Sequence, residues 1–260
     1  MSNGNKQKEV IKFIKEEKLQ VCAIIETHIK AKKIKDVCDK VFGDWEWITN
    51  SHYSTNSCRI MLSWNPLFAK IQVIQVTRQS VFCYIEGLQG KVKFFCTIVY
   101  ASNSKDERKM LWKKIYMHKR ISGNHPWALL GDMNVTLNVE EHSCGGSHIT
   151  EEMQEFRDCI NAVELDDIGS LGFYFTWTKS LKNPKAKVLK KLDRVMVSEG
   201  FLDEFADNHA IFQPFLVSDH SPALLIIPSN WKKKAKSFRF DNYIVDKPEF
   251  LKEVEEGWKV

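Results

Sequence analysis

Trp127-Ala128-Leu129-Leu130-Gly131-Asp132-Met133-Asn134 passes from an apolar run to a glycine, a carboxylate and an amide. The run Trp127–Gly131 is strand-sized and apolar, so it reads as a buried strand with polar side chains held at its end. Two other segments share this design. Val21–Glu26 (V-C-A-I-I-E) runs into Glu26-Thr27-His28, and Ser218-Asp219-His220-Ser221-Pro222 stands beside the apolar strand Ala223–Ile227. Each cluster alone fits ordinary strand-end chemistry: a solvated carboxylate at Glu26, an Asx turn at Asp132 and Asn134, a turn around His220. Three such clusters in one chain are less readily explained as turns.

Outward from these, the spacing of apolar residues predicts helices at Val10–Lys18, Lys30–Val41, Lys105–His118 and Glu151–Ala162. Short Val-, Ile- and Phe-rich runs predict strands at Ser57–Trp64, Ile71–Val76, Val81–Ile85, Val92–Tyr100 and Leu192–Val197, and Phe173–Thr178 alternates large rings. Helices and strands mix without strict alternation, which favours an α+β class with two sheets and helices outside them. No internal repeat is visible. Residues 1–228 read as one domain and 229–260 as a basic linker, with the lysine run Lys232–Lys236, and a helical tail.

Composition sets the outer bounds. The 260 residues carry 38 Lys+Arg against 33 Asp+Glu, a net charge of +5, with 12 Gly and 7 Pro. Such a chain buries a core without staples and is neither fibrous nor disordered. No apolar run reaches the roughly 18 residues of a membrane helix. The 7 cysteines are odd in number and none forms a C-x-x-C pair, so neither a zinc site nor a disulfide framework is expected. With no apolar leader in Met1–Gln20, the thiols read as reduced and the expected compartment is nucleus or cytoplasm, without secretion.

The three clusters are chemically complementary. A carboxylate such as Glu26 suits a hard cation like Mg²⁺. Asp132 and Asn134 can align a water and hold a phosphate oxygen, and His220 with an acidic partner can donate to a phosphoryl group or trade a proton. Together they describe in-line hydrolysis of a phosphate ester.

In order along the chain, Glu26-Thr27-His28, Val99-Tyr100-Ala101-Ser102-Asn103, Gly131-Asp132-Met133-Asn134, Leu192-Asp193-Arg194 and Ser218-Asp219-His220-Ser221-Pro222 resemble the endonuclease/exonuclease/phosphatase superfamily. With Glu107-Arg108, Leu111-Trp112, Phe175-Thr176-Trp177, Phe238-Arg239-Phe240, Pro248-Glu249-Phe250 and Trp258, the resemblance extends to the endonuclease domain of plant LINE-type (non-LTR) retrotransposon polyproteins. It implies a four-layer α/β sandwich: two packed, mostly antiparallel sheets flanked by helices. It implies a DNA endonuclease using Mg²⁺, with Mn²⁺ as the alternative, originally fused to a reverse transcriptase. The implied metal residues are Glu26 and Asp219. Tyr100 would bond the scissile phosphate, Asp132 would orient or deprotonate the attacking water, and Asn134 would hold the phosphate. Asp193 would pair with His220, which stabilises the pentacovalent state; Phe175, Trp177 and Arg194 would meet the substrate.

The chain departs from that pattern at its start. Family members open with a strand ending in Trp-Asn, whose Asn helps bind the metal; here Met1-Ser2-Asn3-Gly4-Asn5 stands directly before the first helix. Asn3 and Asn5 are the nearest substitutes, since Trp64-Asn65 follows Glu26 and leads into Pro66. Loss of an internal strand exposes a pairing edge, and the chain reads as truncated at both ends. Three functions follow: a metal-dependent DNA endonuclease, an inactive remnant with weak nucleic-acid binding, or a phosphatase for a small or lipid phosphate.

Overall fold

The chain, described by a computed structural model at residues 1, 3–53, 57–88, 92–180, 188–215, 217–228, 247 and 249–257, begins in a capped helix. α1 (Gly4–Glu16) starts at Asn3, whose side-chain oxygen accepts the Asn5 N–H, and leads to β1 (Val21–Ile29), α2 (Ile34–Phe42) and β2 (Glu46–Thr49). β3 (Cys58–Trp64), β4 (Ala69–Val76), β5 (Ser80–Gly87), β6 (Lys93–Tyr100), α3 (Lys105–Ser122), β7 (Trp127–Asp132) and α4 (Glu151–Val163) follow. Then come β8 (Leu165–Asp167), β9 (Ser170–Gly172), β10 (Trp177–Thr178), β11 (Leu189–Lys190), β12 (Asp193–Ser198), α5 (Glu199–Glu204), β13 (His209–Phe212), β14 (Ala223–Ile226) and α6 (Phe250–Gly257). The lysine run Lys232–Lys236 and most of the 229–260 tail lie outside the described residues.

The order β4-β5-β6-β7-β12-β8 forms a six-stranded sheet, antiparallel except where β6 runs parallel to β7. Alternation along its strands serves two cores. Phe94, Cys96 and Ile98 of β6 join Ala128 of β7 in one core, facing Ile60 and Leu62 of β3 and Ala210 and Phe212 of β13. Val99 and Leu129 face the other way, onto Leu111, Trp112 and Ile115 of α3 and Phe156 and Ile160 of α4. Outside β1 and β3, Val37, Cys38 and Val41 of α2 pack with Val10, Ile11 and Ile14 of α1. Helices, sheet, sheet and helices make the four layers.

The layer opposite the six-stranded sheet is divided. It holds two three-stranded sheets, β1-β3-β2 and β14-β13-β9, with β10 and β11 as a separate pair. Two packed sheets are the expectation; among the described residues β1 and β14 are instead both edge strands. Ring alternation at Phe173–Thr178 yields a strand only at Trp177–Thr178, and Phe173 and Tyr174 are exposed. β2 has no counterpart in the predicted strands, being only four residues, Glu46 exposed and the other three half-buried. All seven cysteines are free, six of them buried and Cys144 exposed. No helix among the described residues is long and apolar enough to cross a membrane.

Two features lock the central strands. Gly131, opposite Val99 in the parallel ladder, has φ +135°, and a Cβ there would lie 2.0 Å from the Val99 carbonyl oxygen. On the helix side, the Trp127 Nε1–H donates to Thr97 Oγ1 at 3.0 Å, Thr97 Oγ1 lies 3.3 Å from His118 Nδ1, and His118 Nε2 lies 3.1 Å from Gln75 Oε1. A neutral ring protonated at Nε2 completes this chain, with Phe82 stacked on it at 4.2 Å.

Gly131→Ala is expected to cost about 3 kcal/mol, lowering the melting temperature by about 10 °C in a thermal scan. Burial, then the Lys114 charge, lowers the His118 pKa from 6.5 to about 4. The unfolded chain therefore binds the extra proton first as pH falls. Stability present above pH 6.5 should be lost toward pH 4, by on the order of 3 kcal/mol. Urea melts across that range should show a shallower slope in His118→Gln.

Candidate active site

Most of the predicted site residues come from β1, β6, β7, β12 and the turn before β14, which the fold gathers at one edge of the sandwich; Glu26 lies within β1, which runs on to Ile29, not at its end. The ladder places Tyr100, last in β6, opposite Asp132, last in β7, and Asp132 opposite Asp193, first in β12. Three in-register neighbours project from the same face, so a phenol and two carboxylates form one row between the layers. Glu26 arrives from β1 across the sandwich, its Oε1 accepting the Tyr100 hydroxyl at 3.2 Å. Asp219 and His220 come from the turn before β14.

The row is built around a hydrogen-bonded pair. His220 Nδ1 lies 2.8 Å from Asp193 Oδ2, and His220 Nε2 lies 4.0 Å from Asp132 Oδ2. Asp193 thus fixes the proton on Nδ1 and aims Nε2 into the site. Burial lowers the His220 pKa, but the hydrogen bond and charge of Asp193, then the charges of Asp132 and Asp219, outweigh it and hold the ring protonated above its usual range. Asp132 is raised by burial and then by the Asp193 charge, against the opposing His220 charge and the Asn134 N–H. The cluster as a whole retains a proton. Burial, with the nearby Glu26 charge, pushes the Tyr100 hydroxyl up to about 12, so it remains a donor.

Backbone strain accompanies these roles. Glu26, His28 and Asn134 have φ of +54°, +51° and +51°, a region that costs roughly 1–2 kcal/mol for a residue other than glycine. At Glu26 and His28 it coincides with a register shift between Ile25 and Ile29, a bulge that re-aims both side chains. At Asn134 it follows from Asp132 Oδ1 accepting the Asn134 N–H at 2.8 Å, while the Asn134 amide donates to the Ala101 carbonyl at 2.7 Å. The Asx turn is real, and it is also what sets Asn134 on the cleft wall.

Glu26, Tyr100, Asp132, Asn134, Asp219 and His220 line a cleft of about 600 Å³ that also includes Asn103, His142, His148, Trp177 and Lys190. Carboxylate oxygens of Glu26 and Asp219 and a ring nitrogen of His220 lie within 4.8 Å of one another. With His220 engaged by Asp193, two hard oxygen donors remain, a set that fits a divalent cation completed by water and phosphate oxygens. Asp219 is steadied by the Trp177 indole N–H, 3.1 Å from its Oδ2.

Two sequence expectations do not hold. Arg194 is not a substrate contact: it is fully buried, pairs with Glu141 and Asp167, and lies 5.8 Å from the Phe156 ring centroid. Alternation explains it, since Asp193 faces the site and its neighbour must face the helix layer. Phe175 is half-buried, 5.1 Å from the Tyr174 ring centroid, and outside the cleft lining. Asn3, one of the two asparagines named at the start of the chain, uses its side-chain oxygen to cap α1.

Thr176 has a larger role than its sequence suggests. Its buried Oγ1 accepts the Leu192 and Asp193 N–H groups at 3.0 and 2.8 Å, and its carbonyl accepts the Ser221 N–H at 2.7 Å. One residue thereby ties the segments bearing both members of the Asp193–His220 pair. Local sequence carries no signal for this, because the partners are 16 to 45 positions away.

No family model and no curated protein sequence matches the chain. Solved structures do. The endonuclease domain of TRAS1, a telomere-specific non-LTR retrotransposon, superposes with a TM-score of 0.66 at 14% identity over 88% of this chain and 95% of that one. An endonuclease/exonuclease/phosphatase family protein from Bacteroides thetaiotaomicron gives 0.60 at 12% identity over 85% and 88%. A mannosyl-6-phosphatase from the same organism gives 0.56 at 12% over 86% and 91%. Likeness at such identity concerns architecture, and on that ground the chain has the fold of the endonuclease/exonuclease/phosphatase family proteins.

Proposed function

We propose that the chain is a divalent-metal-dependent phosphodiesterase acting on DNA, a nicking endonuclease of plant non-LTR retrotransposon type. The observation that carries this reading is the Asp193–His220 pair facing Asp132, with Glu26 and Asp219 on the same cleft. Glu26 and Asp219 would hold Mg²⁺ or Mn²⁺, which when bound neutralises charge on the phosphate oxygens. Asp132, buried and close to neutral pH in its titration, orients the attacking water and takes its proton. Asn134 and the Tyr100 hydroxyl hold phosphate oxygens, and His220 donates from Nε2 to the oxygen that gains charge as the phosphorus–oxygen ester bond breaks. Trp177, with the Lys190 ammonium 5.7 Å from its ring centroid, gives the cleft a stacking and phosphate-binding wall suited to a nucleic acid. The cellular setting that matches this substrate is the nucleus.

Nicking of supercoiled plasmid by the folded chain with Mg²⁺ tests the reading. Asp132→Ala should reduce nicking at least about 100-fold and EDTA should abolish it. A folded protein that leaves plasmid intact would be the inactive remnant; one that turns over sugar or inositol phosphates instead would be a phosphatase.

Thr176→Val leaves two N–H groups at Leu192 and Asp193 without their acceptor. Its kcat should fall about tenfold with KM near wild type, and Thr176→Ser should restore most of it. In a His220→Ala background the same substitution should add little further loss, because it acts through the pair.

A further inference from the structure

Arg59, on β3, stands apart from the arginines that serve the fold. Arg78 pairs with Glu107, Arg108 with Glu152, and Arg194 with Glu141 and Asp167. Among the described residues no carboxylate is bonded to Arg59. Its Nη1 meets the His28 ring instead, 3.0 Å from Nδ1, and its guanidinium carbon lies 6.0 Å from the Tyr100 ring centroid. The backbone beneath it is rigid: Asn50 Oδ1 accepts the Arg59 and Ile60 N–H groups, and Asn50 Nδ2 donates to the Thr77 and Arg78 carbonyls.

The position of this cation is set by the β1 bulge. A regular strand would alternate its side chains, but left-handed φ at Glu26 and His28 turns the register, and His28 Nε2 comes within 3.6 Å of Glu26 Oε1. Arg59 and His28 therefore flank Glu26 and Tyr100. Those two line the cleft; Arg59 and His28 lie beyond its lining, at the rim. A guanidinium presents five N–H donors in a planar fork matched to phosphate, and here it uses one group on an imidazole and leans on a ring. A nucleic-acid strand continues past Glu26 and brings another phosphate to the rim.

We propose that Arg59, supported by His28, is a second phosphate subsite that takes a backbone phosphate of the strand beside the one handled in the cleft. The proposal rests on the nucleic-acid reading above and deepens it: the substrate class is a polynucleotide, distinguished from a small phosphate ester by this contact. Phosphate contacts of this kind set register and affinity without reading sequence.

The test is binding of a short fluorescent DNA duplex to the full chain across a salt series, for wild type, Arg59→Ala and Arg59→Lys, each checked by thermal melt. Arg59→Ala should weaken binding about tenfold and reduce the slope of log affinity against log salt by about one, with an unchanged melt. Arg59→Lys should recover the slope and only part of the affinity, since an ammonium lacks the fork. Hydrolysis of bis(4-nitrophenyl) phosphate, which has no neighbouring backbone phosphate, should fall much less in Arg59→Ala than duplex affinity does. Equal affinity and slope in wild type and Arg59→Ala would overturn the subsite, as would an equal loss on the small ester. If wild type nicks DNA and Arg59→Ala changes nothing, only the subsite fails. If wild type binds duplex through Arg59 without nicking, only the endonuclease reading fails. No duplex binding by wild type would remove both.

Discussion

The backbone ladder of β7 is the constraint on which the site depends. On one side it runs parallel to β6 and on the other antiparallel to β12, so Tyr100, Asp132 and Asp193 fall opposite one another at the ladder's end. The close approach of Gly131 to the Val99 carbonyl keeps that pairing at full depth. A slip of one residue in either pairing would turn a member of the row into the helix layer, where Arg194 already points. Backbone hydrogen bonds thus set which side chains meet, before side-chain chemistry contributes.

Around the row, the fold spends stability on geometry. Three residues with positive φ, two carboxylates within a buried pair of layers and a histidine between them are each unfavourable in isolation. They persist because neighbouring groups determine them: Thr176 from behind Asp193, the Ala101 carbonyl under Asn134, Tyr100 against Glu26. The buried Arg194–Glu141–Asp167 network plays the matching part on the other face. Glu141 also accepts the Leu137 and Asn138 N–H groups, tying the loop after β7 to the sheet.

Much of the architecture was legible along the chain. Apolar runs located β1, β3, β6, β7, β12 and β14, and apolar spacing located α1 to α4, because burial on one or both faces leaves a periodic trace. Short or half-buried strands such as β2 leave too little of one. The site residues Asp132, Asn134 and His220 were legible as polar breaks beside apolar strands, and Glu26 likewise, although β1 runs on past it to Ile29. Arg194 and Phe175 were misplaced because adjacency in sequence says nothing about which face a side chain takes.

By itself, then, the sequence determined the layer class, the strand ends that carry chemistry and the mild positive charge, all of which follow from local composition and periodicity. Tertiary structure alone decided that Asp193 meets His220, that Thr176 braces both, that β1 and β14 are edges among the described residues, and that Arg59 stands beside Glu26. The physical reason is range. Apolar patterning is written within a few residues, whereas these contacts join residues 16 to 45 positions apart, and exist only once the ladders have set their register.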